Sequence, residues 1–406
     1  MSKPTVISLF SGAGGLDFGF EAAGFETSVA VEMNHDACET LRANRKWPVI
    51  ERDIMEVTTA EMLEQGGLKA GDVDVLIGGP PCQPFSKSGY WAHGDAKRLD
   101  DPRSNTLGAY LRVLEEAKPR AFLLENVEGM AFRGKDEGLR LLMDAFVAIN
   151  KRAKTNYKPV MRLLNAADYG VPQLRKRVII VGARDGKELT FPEPTHTDQE
   201  PDLFTRLAPR MTAWDAIGDV PLDPHEQLDA TGRWADLLPS IPEGQNYQFH
   251  TDRGAGKNLF GWRRHYWTFL LKLAKNQPSW TIQAQPGPAA GPFHWDNRRL
   301  SHRELCRLQT FPDDVVVTGT RLAIQKQIGN AVPSLLAEVL AGAISTQLLG
   351  RRTRSELKLL RKPATSTPKA ARATRVPRKY HNQIGEHLAH PGTGRGHAAV
   401  QRSLQF

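Results

Sequence analysis

The most constraining feature of this chain is a series of short apolar runs that end in glycine turns or carboxylates. The runs have the length and β-branched content of buried strands, and they alternate with helical patterns, which favours a parallel sheet. We therefore predict an α/β fold, with a doubly wound, mostly parallel sheet and helices on both faces, from Thr5 to about Arg184. Ligands collect outside the carboxyl ends of the strands in such sheets, so residues there are the first candidates for a site.

One run is followed by a loop that carries a single cysteine. The predicted strand Val73–Ile77 stops at Gly78-Gly79, and three prolines then bracket Cys82. Each proline fixes its own φ and pushes the preceding residue out of the helical region, so the thiol lies on a stiff loop. A buried small thiol in a turn is the alternative, but it accounts poorly for this clustering of glycine and proline. We therefore interpret Cys82 as a nucleophile.

The first run, Thr5–Phe10, leads into a glycine turn and then a predicted helix. Such a turn lets a ligand approach the backbone at a helix N-terminus, although the spacing is not G-x-G-x-x-G and a tight structural turn is the alternative. The second and third runs end in Glu32 and Asp53. An acid at the end of the second strand of a βαβ unit can bind ribose hydroxyls, whereas a helix cap is the other interpretation. Together these features predict an adenosine pocket.

Glu125 and Asn126 end a further apolar run. Desolvation disfavours a charged carboxyl group, so we expect a raised pKa for Glu125, which would make it a proton donor; a glutamate that faces water is the alternative. Arg175 and Arg177 precede the run Val178–Ala183, and strand alternation would place them on one face. Two guanidinium groups suit a carboxylate or a phosphate, or they form an ordinary solvated face.

The sequence changes character between Leu189 and about Arg298, where prolines are frequent and aromatic and basic residues are interleaved. This composition predicts a second, smaller, irregular domain, and it suits either nucleic acid or an irregular core. The strongly apolar helix Ser334–Leu349 must bury itself against the N-terminal core. We predict a catalytic and cofactor-binding domain over residues 1–188, completed by 326–350, with the second domain over 189–325.

The net charge of +9 is concentrated in the C-terminal segment. Residues 351–406 contain 13 Lys and Arg but 2 Asp and Glu, which leaves a net charge of −2 for residues 1–350. The segment has few aliphatic residues, so we expect disorder after about Leu360. It is interpreted as an anion-binding arm for nucleic acid, with a solubilising extension as the alternative.

The three cysteines form neither a disulfide framework nor a zinc site, which fits a reducing compartment. The N-terminus has no signal-peptide pattern, and no apolar run approaches the length of a membrane span. We expect a soluble, intracellular protein.

Taken in order, these segments resemble the motifs of the DNA (cytosine-5)-methyltransferase family, of the bacterial C5 type. The resemblance covers roughly Thr5 to Leu349, apart from the middle region. The matching blocks are Phe10–Gly15, Glu32, Asp53, Gly79–Ser86, Glu125–Val127, Gln173–Arg177, Arg307–Pro312 and Gly329–Pro333.

The resemblance implies an S-adenosylmethionine-dependent methyltransferase fold that methylates C5 of a cytosine flipped out of duplex DNA. The thiolate of Cys82 would add to C6, and a protonated Glu125 would relieve negative charge at N3. Asn126 would hold the flipped base or the Cys82 loop. Arg175 would orient the base or balance the charge of the site, and Arg177 would position Glu125.

The resemblance also implies contacts with cofactor and DNA, and no metal. The cofactor pocket would comprise Phe10, Ser11, Gly12, Gly14, Gly15, Leu16, Glu32, Met33, Asp53, Ile54, Pro80, Leu107, Asn330, Ala331 and Val332. Gln83, Ser86 and Thr281 would contact DNA, and Lys87–Asn105 would close over the site. Residues 189–325 would be the target-recognition domain.

Several alternatives remain. A related class methylates RNA cytosine with the same catalytic blocks, but a middle domain of this size favours DNA. A methyltransferase of amino groups would have an aromatic residue in the place of Cys82. A non-catalytic DNA-binding protein would not require Cys82, Glu125 and Arg175 together. We expect a monomeric, cytoplasmic, nucleoid-associated enzyme that acts on double-stranded DNA. It would belong to a restriction-modification system, whose endonuclease would be encoded separately.

Overall fold

The computed structural model describes residues 2–81, 106–127, 136–199, 207–262, 266–352 and 356–383. Cys82, Gln83, Ser86 and the predicted lid Lys87–Asn105 lie outside the described residues, so the predictions about them remain predictions.

A seven-stranded sheet forms the centre of the N-terminal part of the chain. Its strands are β1 (Thr5–Leu9), β2 (Glu26–Glu32), β3 (Val49–Glu51), β4 (Val75–Gly78), β5 (Ala121–Val127), β6 (Val160–Asn165) and β7 (Lys176–Ala183). The order is β3-β2-β1-β4-β5-β7-β6, and β7 runs antiparallel to both of its neighbours while the other pairs are parallel. The predicted mostly parallel sheet is confirmed.

Helices cover both faces of the sheet. They are α1 (Gly15–Ala22), α2 (His35–Asn44), α3 (Thr59–Gln65), α4 (Thr106–Ala117) and α5 (Asp136–Ala153), followed beyond the sheet by α6 (Ala213–Ile217), α7 (His302–Leu308), α8 (Arg321–Asn330) and α9 (Ser334–Ala343). Strand side chains alternate between the faces, so Val6 joins the core under α1 and α9, whereas Ile7 joins the core under α4 and α5. Burial on both faces explains why the strands read as continuous apolar runs.

The C-terminal helix α9 returns to the N-terminal core, as predicted from its apolar composition. Leu335, Leu336 and Leu340 lie in the same buried cluster as the sheet residues Val6 and Val75. A Cβ atom on Gly19 of α1 would overlap the carbonyl oxygen of Ser334, so this glycine permits the close approach of the two helices.

The helical run Arg321–Leu348 requires a correction to the sequence analysis. It is long and apolar enough by composition to cross a membrane, contrary to the expectation that no run approaches that length. However, 78% of its most apolar 18-residue stretch is buried inside the protein. Burial of this kind marks a core helix, because a spanning helix would present its apolar side chains to lipid.

The middle region has a core of its own, rich in aromatic residues. Its buried members include Leu237, Tyr247, Phe260, Leu270 and Phe293. A separate buried cluster joins α1, through Phe18, and the turn before it, through Ala13, to α6, α7 and α8. The domain boundaries at residues 188 and 325 remain predictions.

The chain after Leu360 differs from the expected disorder. Residues Leu357–Gln383, which we call the C-terminal strap, pack along the body of the protein and end in a short 3₁₀ helix, Arg378–Gln383. Tyr380 of the strap is 2% exposed and joins the aromatic core of the middle region. The prediction of disorder is therefore wrong for residues 361–383, because composition alone does not reveal an aromatic anchor that packs on a distant part of the chain.

Candidate active site

The carboxyl ends of β1, β2, β4 and β5 meet at one edge of the sheet. Leu9 of β1 pairs with Val31 on one side and Gly78 on the other, and Gly78 pairs with Leu124. Because these strands are parallel, the segments that follow them emerge side by side. The glycine turn, Glu32, the start of the Cys82 loop and Glu125 are thereby brought to one place.

The carboxyl group of Glu125 lies directly against the start of the Cys82 loop. A Cβ atom built on Gly79 would lie 2.8 Å from Glu125 Oε2, closer than real Cβ atoms approach an oxygen. Gly79 therefore makes room for the carboxylate only three residues before Cys82. Glu125 itself is 9% exposed, so it lies at the rim of the core with a small solvent-facing surface.

Arg177 forms an ion pair with Glu125. Its Nε lies 2.7 Å from Glu125 Oε1, and both side chains are largely shielded from water. The antiparallel register places Arg177 opposite Val127, two residues beyond Glu125, so the pair crosses between β5 and β7. Such a charge-assisted contact between two shielded groups fixes the direction of the carboxylate.

The carbonyl groups at the start of the Cys82 loop are held in place. Asn126 Nδ2 donates to the carbonyl oxygen of Pro80 at 3.3 Å, and Thr106 Oγ1 donates to that of Pro81 at 3.1 Å. Asn126 and Thr106 thus fix both residues that immediately precede Cys82.

Arg175 has a different environment from Arg177. It is 1% exposed; its Nη2 donates to the carbonyl oxygen of Gly329 at 2.9 Å, and its Nη1 lies 3.5 Å from that of Ile282. Burial, followed by the charge of Arg177, lowers the pKa of Arg175 to about 9. Its Nε has no hydrogen-bond partner within the part of the chain that the structure describes. Arg175 therefore connects β7 to the middle region and to the end of α8.

The carboxylate of Glu32 organises the glycine turn. Its Oε2 accepts a hydrogen bond from Gly12 N–H at 2.8 Å, and its Oε1 accepts from the N–H groups of Met33 and Asn34. Gly12 has φ +53°, and a Cβ atom there would meet nothing within 4 Å, so the turn has open space in front of it. Oε2 has one lone pair left for a hydroxyl donor. These features fit an adenosine group.

The other predicted cofactor residues fall into two groups. Phe10, Ser11, Met33, Asn330 and Ala331 are partly or well exposed near the turn or the end of α8, and Pro80 is buried at the neighbouring strand end. Gly15 packs so closely that a Cβ atom would overlap the carbonyl oxygen of Val332, which brings the last motif against the first. Gly14, Leu16, Ile54, Leu107 and Val332 are buried, so they contribute chiefly packing.

Two side chains that were predicted to contact the cofactor or DNA form hydrogen bonds within the protein instead. Asp53 Oδ1 accepts from Met55 N–H at 3.0 Å and so stabilises the turn after β3, whereas the following helix α3 is capped by Thr58. Thr281 Oγ1 donates to the carbonyl oxygen of Leu174 at 2.6 Å and so ties the middle region to the residue before Arg175.

Sequence reasoning missed Asp17 beneath the glycine turn. Asp17 is fully buried in α1; Thr27 Oγ1 donates to its Oδ1 at 3.2 Å, and burial raises its pKa to about 6. Ser8, whose side chain lies near the Asp17 carboxyl group, receives a hydrogen bond from Ser11 Oγ at 2.8 Å. The signal in the sequence was an acid between the apolar residues Leu16 and Phe18, on the helix that follows the glycine turn.

The sheet order, with one antiparallel strand inserted near its edge, defines an S-adenosylmethionine-dependent methyltransferase fold. A solved structure described as a DNA modification methyltransferase encoded within an E. coli prophage has this fold, with a TM-score of 0.60 and 22% identity. The likeness covers 86% of this chain and 100% of that one.

The family model for C-5 cytosine-specific DNA methylases matches residues 4–346. The type II methyltransferase M.SacI of Streptomyces achromogenes is 44% identical over 370 residues, which cover 84% of this chain and 93% of the relative. The type II methyltransferase M1.HphI of Haemophilus parahaemolyticus is 34% identical over 351 residues, covering 84% and 86%. The chain belongs to the C-5 cytosine-specific DNA methylase family and is a DNA (cytosine-5)-methyltransferase. Membership implies S-adenosylmethionine as the methyl donor.

Proposed function

We propose that Cys82 is the nucleophile and Glu125 the general acid in the methylation of a flipped-out cytosine. The observation that carries this proposal is the close approach of the Glu125 carboxyl group to Gly79, at the start of the Cys82 loop, where a side chain would collide with it. A thiolate and a carboxyl group at adjacent strand ends can reach the two sides of one pyrimidine ring, C6 and N3.

The reaction begins when the Cys82 thiolate forms a bond to C6 and electron density moves toward C5 and N3. Glu125 donates a proton or hydrogen bond to N3, and Arg177 holds its carboxyl group in position. S-adenosylmethionine, when bound, supplies an electrophilic methyl group. Once C5 carries the methyl group, loss of its proton and cleavage of the C6–sulfur bond restore the aromatic ring.

The cofactor would lie over the glycine turn. Glu32 would accept hydrogen bonds from ribose hydroxyls, Met33 would lie against the adenine, and the turn Ser11–Gly15 would approach the methionine portion. The fixed position of Glu32, which three backbone N–H groups hold, supports this assignment. Asp53, Ile54 and the motif Asn330–Val332 would complete the pocket around it.

Asn126 and Arg175 would support the site without touching the substrate. Asn126 would fix the Cys82 loop through Pro80, and Arg175 would hold the middle region against β7.

The DNA would be contacted by Gln83, Ser86 and Thr281, with residues 189–325 as the target-recognition domain. In Thr281 the backbone would be available for this contact, because its hydroxyl is engaged with Leu174.

We further propose that the enzyme modifies cytoplasmic DNA as a monomer in a type II restriction-modification system. The names of M.SacI and M1.HphI support this assignment, since both are type II methyltransferases. A separately encoded endonuclease would cut the same sequence when it is unmethylated.

The test compares wild type with Cys82→Ser in cells that express each protein. Bisulfite sequencing of their genomic DNA should show 5-methylcytosine in one sequence context with wild type and none with the variant. Mass spectrometry of RNA from the same cells tests the RNA alternative. A duplex with 5-fluorocytosine in that context should trap wild type covalently, because fluorine does not leave as a proton does. Cofactor affinity of the variant is the control, and an adduct with Cys82→Ser would contradict the assigned nucleophile.

A further inference from the structure

The backbone of the C-terminal strap is held by acidic side chains of the body. Glu338 accepts hydrogen bonds from the N–H groups of Lys358 and Leu359 at 2.7 and 3.0 Å. Asp215 accepts from Ala364 N–H at 2.8 Å, and Glu243 accepts from Ala371 N–H at 3.1 Å. These three acids therefore hold the strap through its main-chain N–H groups.

An aromatic anchor and two ion pairs complete the attachment. The ring of Tyr380 stacks on Trp234 with centroids 5.6 Å apart, and its hydroxyl donates to the carbonyl oxygen of Arg233 at 2.7 Å. Arg361 pairs with Asp313 at 3.0 Å near the start of the strap, and Lys379 pairs with Asp236 near its end. The strap is therefore fastened along its whole length.

The strap carries positive charge only. Between Leu357 and Gln383 the sequence contains eight Lys and Arg and no Asp or Glu. Apart from Arg361 and Lys379, these cations are exposed and form no ion pair within the described chain; they are Lys358, Lys362, Lys369, Arg372, Arg375 and Arg378. Six unpaired cations on a fixed backbone repel one another, and a polyanion would relieve that repulsion.

Four of these cations recur at every third position. Lys369, Arg372, Arg375 and Arg378 are separated by small or apolar residues, and no helix or strand is assigned between Leu357 and Pro377. In an extended chain with three residues per turn, residues three apart share one face at a spacing of about 9 Å. A regular row of cations suits a regular row of phosphates.

We infer that the C-terminal strap binds the phosphate backbone of duplex DNA, as a contact that does not depend on sequence and adds to the contacts of the target-recognition domain. The inference rests on the action of the enzyme on duplex DNA. The strap ends on the core of the middle region, and that region is hydrogen-bonded through Thr281 to Leu174, two residues before the start of β7. DNA that extends from the active site along the middle region would meet the strap.

The first test replaces the regular row of cations with Lys369→Gln, Arg372→Gln, Arg375→Gln and Arg378→Gln in one protein. The matched control is Lys3→Gln, Lys69→Gln, Lys151→Gln and Lys154→Gln. It removes the same charge from exposed residues near the amino ends of the strands, opposite the edge that carries the active site. Affinity for a mixed-sequence duplex is measured across a salt series. The slope of log affinity against log salt should become shallower by ~0.9 for each phosphate that the strap variant no longer neutralises, up to roughly 3.6, whereas the control should keep the wild-type slope.

The second test needs no variant. Lys362 and Lys369 of wild type are labelled with an amine-reactive acylating reagent, with and without the duplex, and the modified peptides are quantified by mass spectrometry. DNA should protect these amines several-fold while Lys69 and Lys151 react equally in both samples. This measurement stands even if the fourfold variant were to unfold.

The outcomes separate this inference from the proposed catalytic roles. Salt slopes equal to those of the control, or strap lysines that DNA does not protect, would overturn the inference while methylation by wild type continued. Loss of affinity for a structured RNA but not for duplex DNA would overturn it as well. Failure of the Cys82 adduct would instead contradict the catalytic proposal and leave the salt slopes unaffected.

Discussion

Arg177 Nε lies 2.7 Å from Glu125 Oε1, and this ion pair joins the strand that carries the proposed general acid to its antiparallel neighbour. On the side of the Cys82 loop, the backbone at Gly79 comes so close to the same carboxyl group that a Cβ atom there would lie 2.8 Å from Glu125 Oε2. Glu125 is therefore fixed between a guanidinium group and the backbone that leads to the nucleophile. Reversal of β7 places Arg177 here, because it brings the start of that strand to the active-site edge.

We expect Glu125→Gln to lower kcat by about 10²- to 10⁴-fold, because the amide cannot transfer a proton to N3. Arg177→Gln should lower kcat by roughly 10²-fold, since the Glu125 carboxyl group remains but loses the ion pair that fixes its orientation. Steady-state methylation of the target duplex is the measurement, with cofactor affinity unchanged in both variants. Arg162→Gln on the neighbouring strand, whose ion pair is exposed, serves as the control. Wild-type kcat for Arg177→Gln would exclude its positioning role.

Glu32 connects the glycine turn with the start of α2, and its replacement tests the proposed cofactor pocket. Glu32→Ala removes a charged acceptor and frees the Gly12 turn, so the affinity for S-adenosylmethionine should fall by about 10-fold or more. Isothermal titration calorimetry measures the change. Glu39→Ala, an exposed acid on α2, is the matched control. Equal affinity of Glu32→Ala and wild type would place the ribose elsewhere.

The sequence predicted what depends on local pattern. Buried strands appear as apolar runs, and a polar residue at the end of a run, such as Glu32 or Glu125, lies at the carboxyl edge of the sheet. The resemblance to a family then joined blocks that are far apart in the chain. The fold class, the parallel strands and the return of α9 follow from these signals.

Long-range partners account for what the sequence did not reveal. Arg175 and Arg177 look alike in a strand pattern, yet one binds backbone carbonyl groups of two distant segments and the other pairs with Glu125. Tyr380 lies in a basic segment whose composition predicts disorder, but an aromatic core more than a hundred residues earlier accommodates it. Composition describes a segment, whereas burial depends on the surface that the segment meets.

The strap anchor can be tested by stability measurements. Tyr380→Ala should lower the free energy of unfolding by about 3 kcal/mol, because it empties a site in the aromatic core of the middle region. Tyr380→Phe keeps the ring and should cost only about 1 kcal/mol for the hydrogen bond to Arg233. Urea unfolding, followed by tryptophan fluorescence because Trp234 contacts the ring, measures both. If Tyr380→Ala were as stable as Tyr380→Phe, the strap would not be anchored in this core.

Asp17 makes the stability of the fold depend on pH. Burial raises its pKa from 3.8 to about 6 in the folded protein, so the folded state holds a proton between these values that the unfolded chain releases. The shift therefore leaves the free energy of unfolding unchanged below pH 3.8. As the pH rises above 3.8 the free energy of unfolding falls, and above pH 6 it is about 3 kcal/mol lower than it would be without the shift. Asp17→Asn imitates the protonated form. The variant should match wild type near pH 4 and exceed it in free energy of unfolding at pH 7.5, as measured by urea unfolding at each pH. Asp72→Asn, an exposed control, should show no such divergence, and a constant difference for Asp17→Asn across the range would refute the titration of Asp17 in the core.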